Sequence, residues 1–136
     1  MSHYCLDTSA YSHFKKGDPA VVDLIDRAEW LGVPSIVVGE LWIGFLLGGR
    51  LERNQAELNE FLTHPPVVEL VADHEVARIY AEMVVSLRKA GTPIPSNDVW
   101  IAATAKRMGV PVLTYDGHFL DIQQAATLLL PTPSKH

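Results

Sequence analysis

The chain has very little cysteine: Cys5 stands alone among 136 residues. One thiol excludes an internal disulfide, and its place in an apolar run reads as a small core residue rather than a nucleophile. Long hydrophobic runs are missing, so no segment has the length needed to span a bilayer. The N-terminus lacks the basic start and apolar stretch of a secretory signal. These absences lead us to expect a protein of the reducing cytoplasm with no membrane partner. Positive charge is scarce, with 11 Lys and Arg against 16 Asp and Glu and a net charge of −5. That balance counts against a nucleic-acid binder, which needs cations for phosphates. The objection shrinks if several acids are metal ligands, because two divalent cations would return about four positive charges locally. The histidines form no metal-binding spacing: His3, His13, His64, His74 and His136 are scattered, and His118, near Asp116, reads as a surface residue. No repeat and no low-complexity segment is present.

What is there is an ordinary globular composition, 48% hydrophobic and 20% charged. The length fits one domain, residues 1–130, followed by a tail over 131–136. A strand is expected over 3–6, then a helix capped by Thr8 or Ser9. A second helix follows Asp18-Pro19 and runs to about 30, with Gly32 breaking it. Residues 33–36 read as a short strand. A helix from 37 ends at Gly48-Gly49, and an amphipathic one covers 50–63. A strand over 67–70 precedes a long helix capped by Asp73. A loop over 91–95 leads to a helix capped by Ser96 or Asn97. Then come a strand over 111–114, a turn at Asp116-Gly117, and an edge strand over 127–130. Strands and helices therefore alternate, which predicts an α/β fold with a mostly parallel sheet and helices on both faces. Ligands of such folds bind beyond the carboxyl ends of the strands.

Four acids fall where such a site would form. Asp7 and Asp116 follow the carboxyl ends of two strands, while Glu40 and Asp98 are expected in the first turns of two helices. Each has a plain alternative: dipole or cap for Glu40 and Asp98, turn chemistry for Asp116, helix cap for Asp7. Their conjunction is more informative. Two carboxylates 4 Å apart repel by about 4 kcal/mol at an effective dielectric near 20. A domain stable by roughly 5–15 kcal/mol would not keep several such pairs without protons or a cation. Oxygen-only ligands favour a hard cation, Mg²⁺ or Mn²⁺, one ion or two, and such sites serve phosphoryl or phosphodiester chemistry.

Leu6-Asp7-Thr8-Ser9, Val38-Gly39-Glu40-Leu41, the stretch NDVWIAA from Asn97 to Ala103, and Leu113-Thr114-Tyr115-Asp116 resemble, in order and spacing, the motifs of PIN-domain nucleases. The length and closing turn resemble the VapC-type toxins of prokaryotic toxin–antitoxin pairs. The resemblance covers about residues 3–130. It implies a PIN-like α/β/α sandwich around a short parallel sheet and a metal-dependent endoribonuclease activity. On the matching positions it makes Asp7, Glu40, Asp98 and Asp116 the metal-binding acids. Thr8 or Ser9 and Thr114 would offer hydroxyls, and Asn97 would cap its helix or steady the site. Asp121 is a spare acid able to assist Asp116. A small antitoxin and a homodimer are the implied protein partners, with RNA as substrate. Lys15, Lys16, Arg50 and Arg53 are the substrate-binding candidates, against the alternative of solvated helix ends. Residues around Trp42, Phe45 and Leu46 serve either an interface or the core. A haloacid-dehalogenase-type phosphatase would need a second aspartate where Ser9 stands, and a receiver domain would need an acidic pair after the first strand. The remaining alternatives are a catalytically silent PIN-fold binding module and a DNA-directed nuclease.

Overall fold

The computed structural model describes residues 2–133. Five strands and six helices alternate: β1 (His3–Leu6), α1 (Thr8–Lys15), α2 (Pro19–Arg27), β2 (Trp30–Pro34), α3 (Ser35–Leu47), α4 (Leu51–Leu62), β3 (Val67–Leu70), α5 (His74–Ala90), α6 (Ser96–Met108), β4 (Val112–Thr114) and β5 (Thr127–Leu129). A 3₁₀ turn, Gly117–Asp121, joins the last two. The sheet order is β3-β2-β1-β4-β5, and every pairing is parallel. The expected α/β sandwich is thus present.

This order positions the site. The chain moves from β1 through β2 to β3 in one direction, then crosses back to place β4 on the other side of β1. Right-handed crossovers put α1–α4 on one face and α5–α6 on the other. The direction reverses between β1 and β4, and the crevice at such a switch point is where open α/β sheets bind ligands. Asp7 and Asp116 follow these two strands. The backbone N–H of Asp7 donates to the Leu113 carbonyl at 3.3 Å, fastening the strand ends together.

The core between the layers is apolar. Cys5, Leu6, Val112 and Leu113 are fully enclosed in the central strands, and Ala102, Ala103 and Ala105 of α6 are fully enclosed against them. These alanines let α6 lie directly on β1, β2 and β4. Burial pushes the Cys5 thiol pKa far up, consistent with a core residue.

Several expected boundaries shift. Asp7, not Thr8 or Ser9, is the N-cap of α1, its carboxylate accepting from the Ala10 N–H at 2.8 Å. The second helix stops at Arg27, and Gly32 lies inside β2 instead of ending a helix. A Cβ there would meet Leu70 Cδ1 at 2.6 Å and Trp30 Cη2 at 2.7 Å, so glycine serves close packing. Pro34 closes β2 and α3 begins at once at Ser35, which moves Glu40 from a first helical turn to the second. Pro95 is the N-cap residue of α6, with no side-chain cap, so neither Ser96 nor Asn97 caps it. Asp116-Gly117 opens the 3₁₀ turn. On α3, Leu41 is buried and Trp42 and Phe45 are half-buried, whereas Ile43, Leu46 and Leu47 are 59%, 64% and 84% exposed. Of the expected tail, residues 134–136 lie outside the described residues. Among the described residues, no helix is long and apolar enough to cross a membrane.

Candidate metal centre

Asp7 is 4% exposed and sits at the centre of a hydroxyl network. Thr114 Oγ1 donates to Asp7 Oδ2 at 2.5 Å, and Ser9 Oγ approaches both carboxylate oxygens at 2.9 and 3.0 Å. The same hydroxyls accept from the next loop: Tyr115 N–H donates to Ser9 Oγ at 3.0 Å, and Asp116 N–H to Thr114 Oγ1 at 2.9 Å. Ser9 and Thr114 therefore bind Asp7 and shape the Asp116 loop together.

Glu40 reaches the site from α3. It accepts from Thr8 Oγ1 at 2.6 Å, and Asn97 Nδ2 stands 3.5 Å from its other oxygen. Asn97 thus touches an acid of the site. Asp98 projects from the first turn of α6, and a ligand atom each of Asp98, Asp116 and His118 lie within 4.8 Å of one another.

Electrostatics joins the four acids. The Asp98 carboxyl pKa is pushed up to about 6, first by burial and then by the negative charges of Asp116, Glu40 and Asp7. Burial also raises Asp7, opposed by its hydrogen bonds from Thr114, Ala10 and Ser9, with Asp116 adding a smaller upward push. Carboxylates so arranged disfavour their own ionisation, and a divalent cation relieves that strain. The donors are mainly carboxylate oxygens, with the His118 imidazole beside them, and such a set can hold a divalent cation.

His118 is the neighbour that the sequence reading set aside as a surface residue. It is exposed, but its Nδ1 lies 3.1 Å from Asp116 Oδ1, and its backbone N–H donates to the same oxygen at 2.9 Å. The available signal is its spacing: a turn aspartate takes the backbone N–H two residues on, which sets His118 beside Asp116. Asp121 is exposed at the far end of the 3₁₀ turn and is not in the group formed by Asp98, Asp116 and His118. Among the described residues, none of the basic candidates forms an ion pair with the four acids. Lys15 pairs with Glu57 at 2.9 Å and Arg53 with the same carboxylate at 3.0 Å, while Lys16 and Arg50 are exposed.

A switch-point site of acids on a five-stranded parallel sheet defines a class, and the family comparison agrees: the PIN domain model matches residues 4–124, and the chain belongs to that family. Within it, the chain is similar to proteins named Ribonuclease VapC. It is 35% identical to Ribonuclease VapC4 of Mycobacterium tuberculosis over 91 residues, 67% of this chain and 69% of the relative. It is 28% identical to Ribonuclease VapC5 of the same organism over 126 residues, 90% of each chain. Among solved structures, VapBC2 from Rickettsia felis bound to a promoter DNA fragment has a TM-score of 0.84 at 22% identity, covering 94% of this chain and 98% of that one. FitAcB from Neisseria gonorrhoeae has a TM-score of 0.75 at 30% identity, covering 92% and 96%.

Proposed function

We propose that this chain is a divalent-metal-dependent endoribonuclease, the toxin of a VapBC-type pair acting in the cytoplasm as a single domain. What supports the reading is the close group of Asp98, Asp116 and His118, together with the upward push that Asp116, Glu40 and Asp7 give the Asp98 carboxyl. The relatives named Ribonuclease VapC supply the substrate class. Asp7, Glu40, Asp98 and Asp116 would hold Mg²⁺ or Mn²⁺, one ion or two. When bound, the metal supplies Lewis-acid stabilisation of charge on the phosphate and eases deprotonation of water.

The chain's own residues do the rest. Ser9, Thr114 and the Ala10 N–H hold the Asp7 carboxylate in one orientation. Thr8 and Asn97 orient Glu40. Asp98 or Asp116 orients the attacking water and takes its proton. The water oxygen bonds to phosphorus as the bond to the leaving 3′ oxygen breaks, and a proton passes to that oxygen. The products are a 5′-phosphate and a 3′-hydroxyl. The RNA 2′-hydroxyl takes no part, so preference for RNA arises in binding. The VapBC and FitAcB structures support a small antitoxin as partner. The exposed Ile43, Leu46 and Leu47 of α3 offer apolar surface for that partner or for a second copy.

The test is cleavage of a panel of structured RNAs, with matched single-stranded DNA alongside, in Mg²⁺, Mn²⁺ or EDTA. Wild type is expected to cut RNA only with metal, and Asp7→Asn and Asp98→Asn to lose activity while remaining folded. Failure to cut, together with calorimetry showing no Mg²⁺ or Mn²⁺ binding, would return the chain to a binding module.

A further inference from the structure

One groove runs against the acidic balance of the molecule. Between α1, α3 and α4 lies a cavity of about 470 Å³ whose lining includes Ser12, Lys15, Lys16, Arg50, Asn54 and Glu57. Three cations there face one anion, in a chain whose net charge is −5. Glu57 occupies an unusual position in it. One carboxylate oxygen contacts Lys15 Nζ of α1 at 2.9 Å, and the other accepts from Arg53 Nε of α4 at 3.0 Å. Among the described residues, Lys16 and Arg50 have no ion-pair partner.

We propose that this groove is the subsite for a backbone phosphate of the RNA strand flanking the cut, and that Glu57 is an internal anion competing with that phosphate for Lys15. The inference rests on the nuclease reading above and names a binding site for its substrate.

Two oxygens of one planar anion, taken by a lysine and an arginine from separate helices, reproduce the way these side chains grip a phosphate. Both cations hold Glu57 below the ordinary carboxylate range, so it stays charged and competes at neutral pH. A purely structural role fits less well. The ion pairs are partly exposed, and such pairs add little to stability. They also leave Lys16 and Arg50 unexplained in the same lining.

The groove and the acids share α1, which Asp7 caps at one end and which carries Lys15 and Lys16 at the other. At the start of α1, Thr8 donates to Glu40 of α3. At the far end of α1, Lys15 and Lys16 share the cavity lining with Phe45 of α3. Eight helical residues cover about 12 Å, a distance of only a few nucleotides along a strand. A strand with its cut bond at Asp7 and Asp98 therefore reaches the groove a few nucleotides away. Ser12 and Asn54 add neutral donors there.

The test uses the Asp98→Asn full chain, which does not consume substrate, and a fluorescein-labelled single-stranded RNA of mixed sequence, read by anisotropy across a salt series. Adding Glu57→Gln is expected to tighten binding three- to tenfold at low salt. The salt slope should steepen by about 0.7 for each cation recruited. Glu60→Gln makes the same charge change on α4 and should shift affinity less than twofold. Lys16→Ala with Arg50→Ala should weaken binding at least fivefold. Equal shifts in Glu57→Gln and Glu60→Gln, or no tightening in Glu57→Gln, overturn the proposal. Equal capture of an aspartate-rich peptide of matching charge would also overturn it, because the groove would then read charge alone. Wild-type cleavage separates the two readings. Metal-dependent cutting with no Glu57 effect removes only the subsite. A Glu57 effect in a protein that neither cuts nor binds metal removes the nuclease and keeps an anionic-strand site.

Discussion

At the scale of single residues, Thr114 Oγ1 joins the two halves of the site. It donates to Asp7 and accepts from the Asp116 N–H, so one hydroxyl sets the carboxylate after β1 and the loop after β4. Thr114→Val keeps the shape and removes both bonds. Hydrogen bonds to charged groups contribute about 1.5–3 kcal/mol, and the Asp116 N–H would be left unpaired. The variant should lose roughly tenfold in Mn²⁺ affinity by calorimetry while its circular dichroism stays native. Unchanged affinity would show that the acids hold their positions without it. Asp7→Asn is the informative neighbour because asparagine is also a good N-cap. It removes the charge and retains the cap on Ala10 N–H, so loss of metal binding in a folded protein isolates the charge.

Asp98 makes a second prediction at this scale. Its folded pKa of about 6 lies above the ordinary value of 3.8. In metal-free protein the folded state therefore holds a proton that the unfolded state has released. The penalty from Asp98 is absent below the ordinary carboxylate range. It grows as pH rises through that range and is complete above about 6. Urea unfolding in EDTA should show wild type losing stability relative to Asp98→Asn between pH 4 and pH 7. A pH-independent difference between the two would contradict the electrostatic account.

At the scale of elements, the strands and the long helices were legible because their signals are local. Alternation of strand and helix, Asp73 before α5, and the alanines of α6 each point one way, and the fold follows them. Three of the four acids were placed correctly on their elements for the same reason: Asp7 and Asp116 follow short apolar runs, and Asp98 lies in a first turn. The junction before α3 was not legible. Val33, Pro34 and Ile36 look like one extended segment, yet Pro34 stops β2 and Ser35 starts a helix. Glu40 consequently stands a turn deeper, which brings it against Thr8. Contacts such as Thr8 with Glu40 or His118 with Asp116 depend on which strand ends lie side by side, and no local pattern carries that. Element ends also separate stability from function. Gly109 closes α6 at φ 70°, in the left-handed region. Gly109→Ala should cost about 1–2 kcal/mol in urea unfolding and leave Mn²⁺ affinity within twofold, since the opposite end of α6 carries Asp98. A large loss of affinity would mean that the helix moves as a unit.

At the scale of the whole molecule, the proposed metal site carries a stability prediction, because the net charge is −5 and the Asp98 carboxyl is pushed up by neighbouring acids. A ligand that binds only the folded state at 100 times its Kd stabilises it by about 2.7 kcal/mol. For a domain of this size that is about 8 °C in Tm. Wild type should therefore melt several degrees higher in saturating Mn²⁺ than in EDTA. Asp98→Asn should start more stable in EDTA, because a repelling charge is gone, and gain little from Mn²⁺. The crossing matters more than either shift. A variant that is merely damaged melts lower in both conditions, and an acid with no part in the site changes neither. Only a carboxylate whose repulsion the cation relieves makes its loss stabilising without metal and costly with it. Parallel shifts for wild type and Asp98→Asn would place the cation elsewhere on the acidic surface, and the four acids would then owe their proximity to the fold alone.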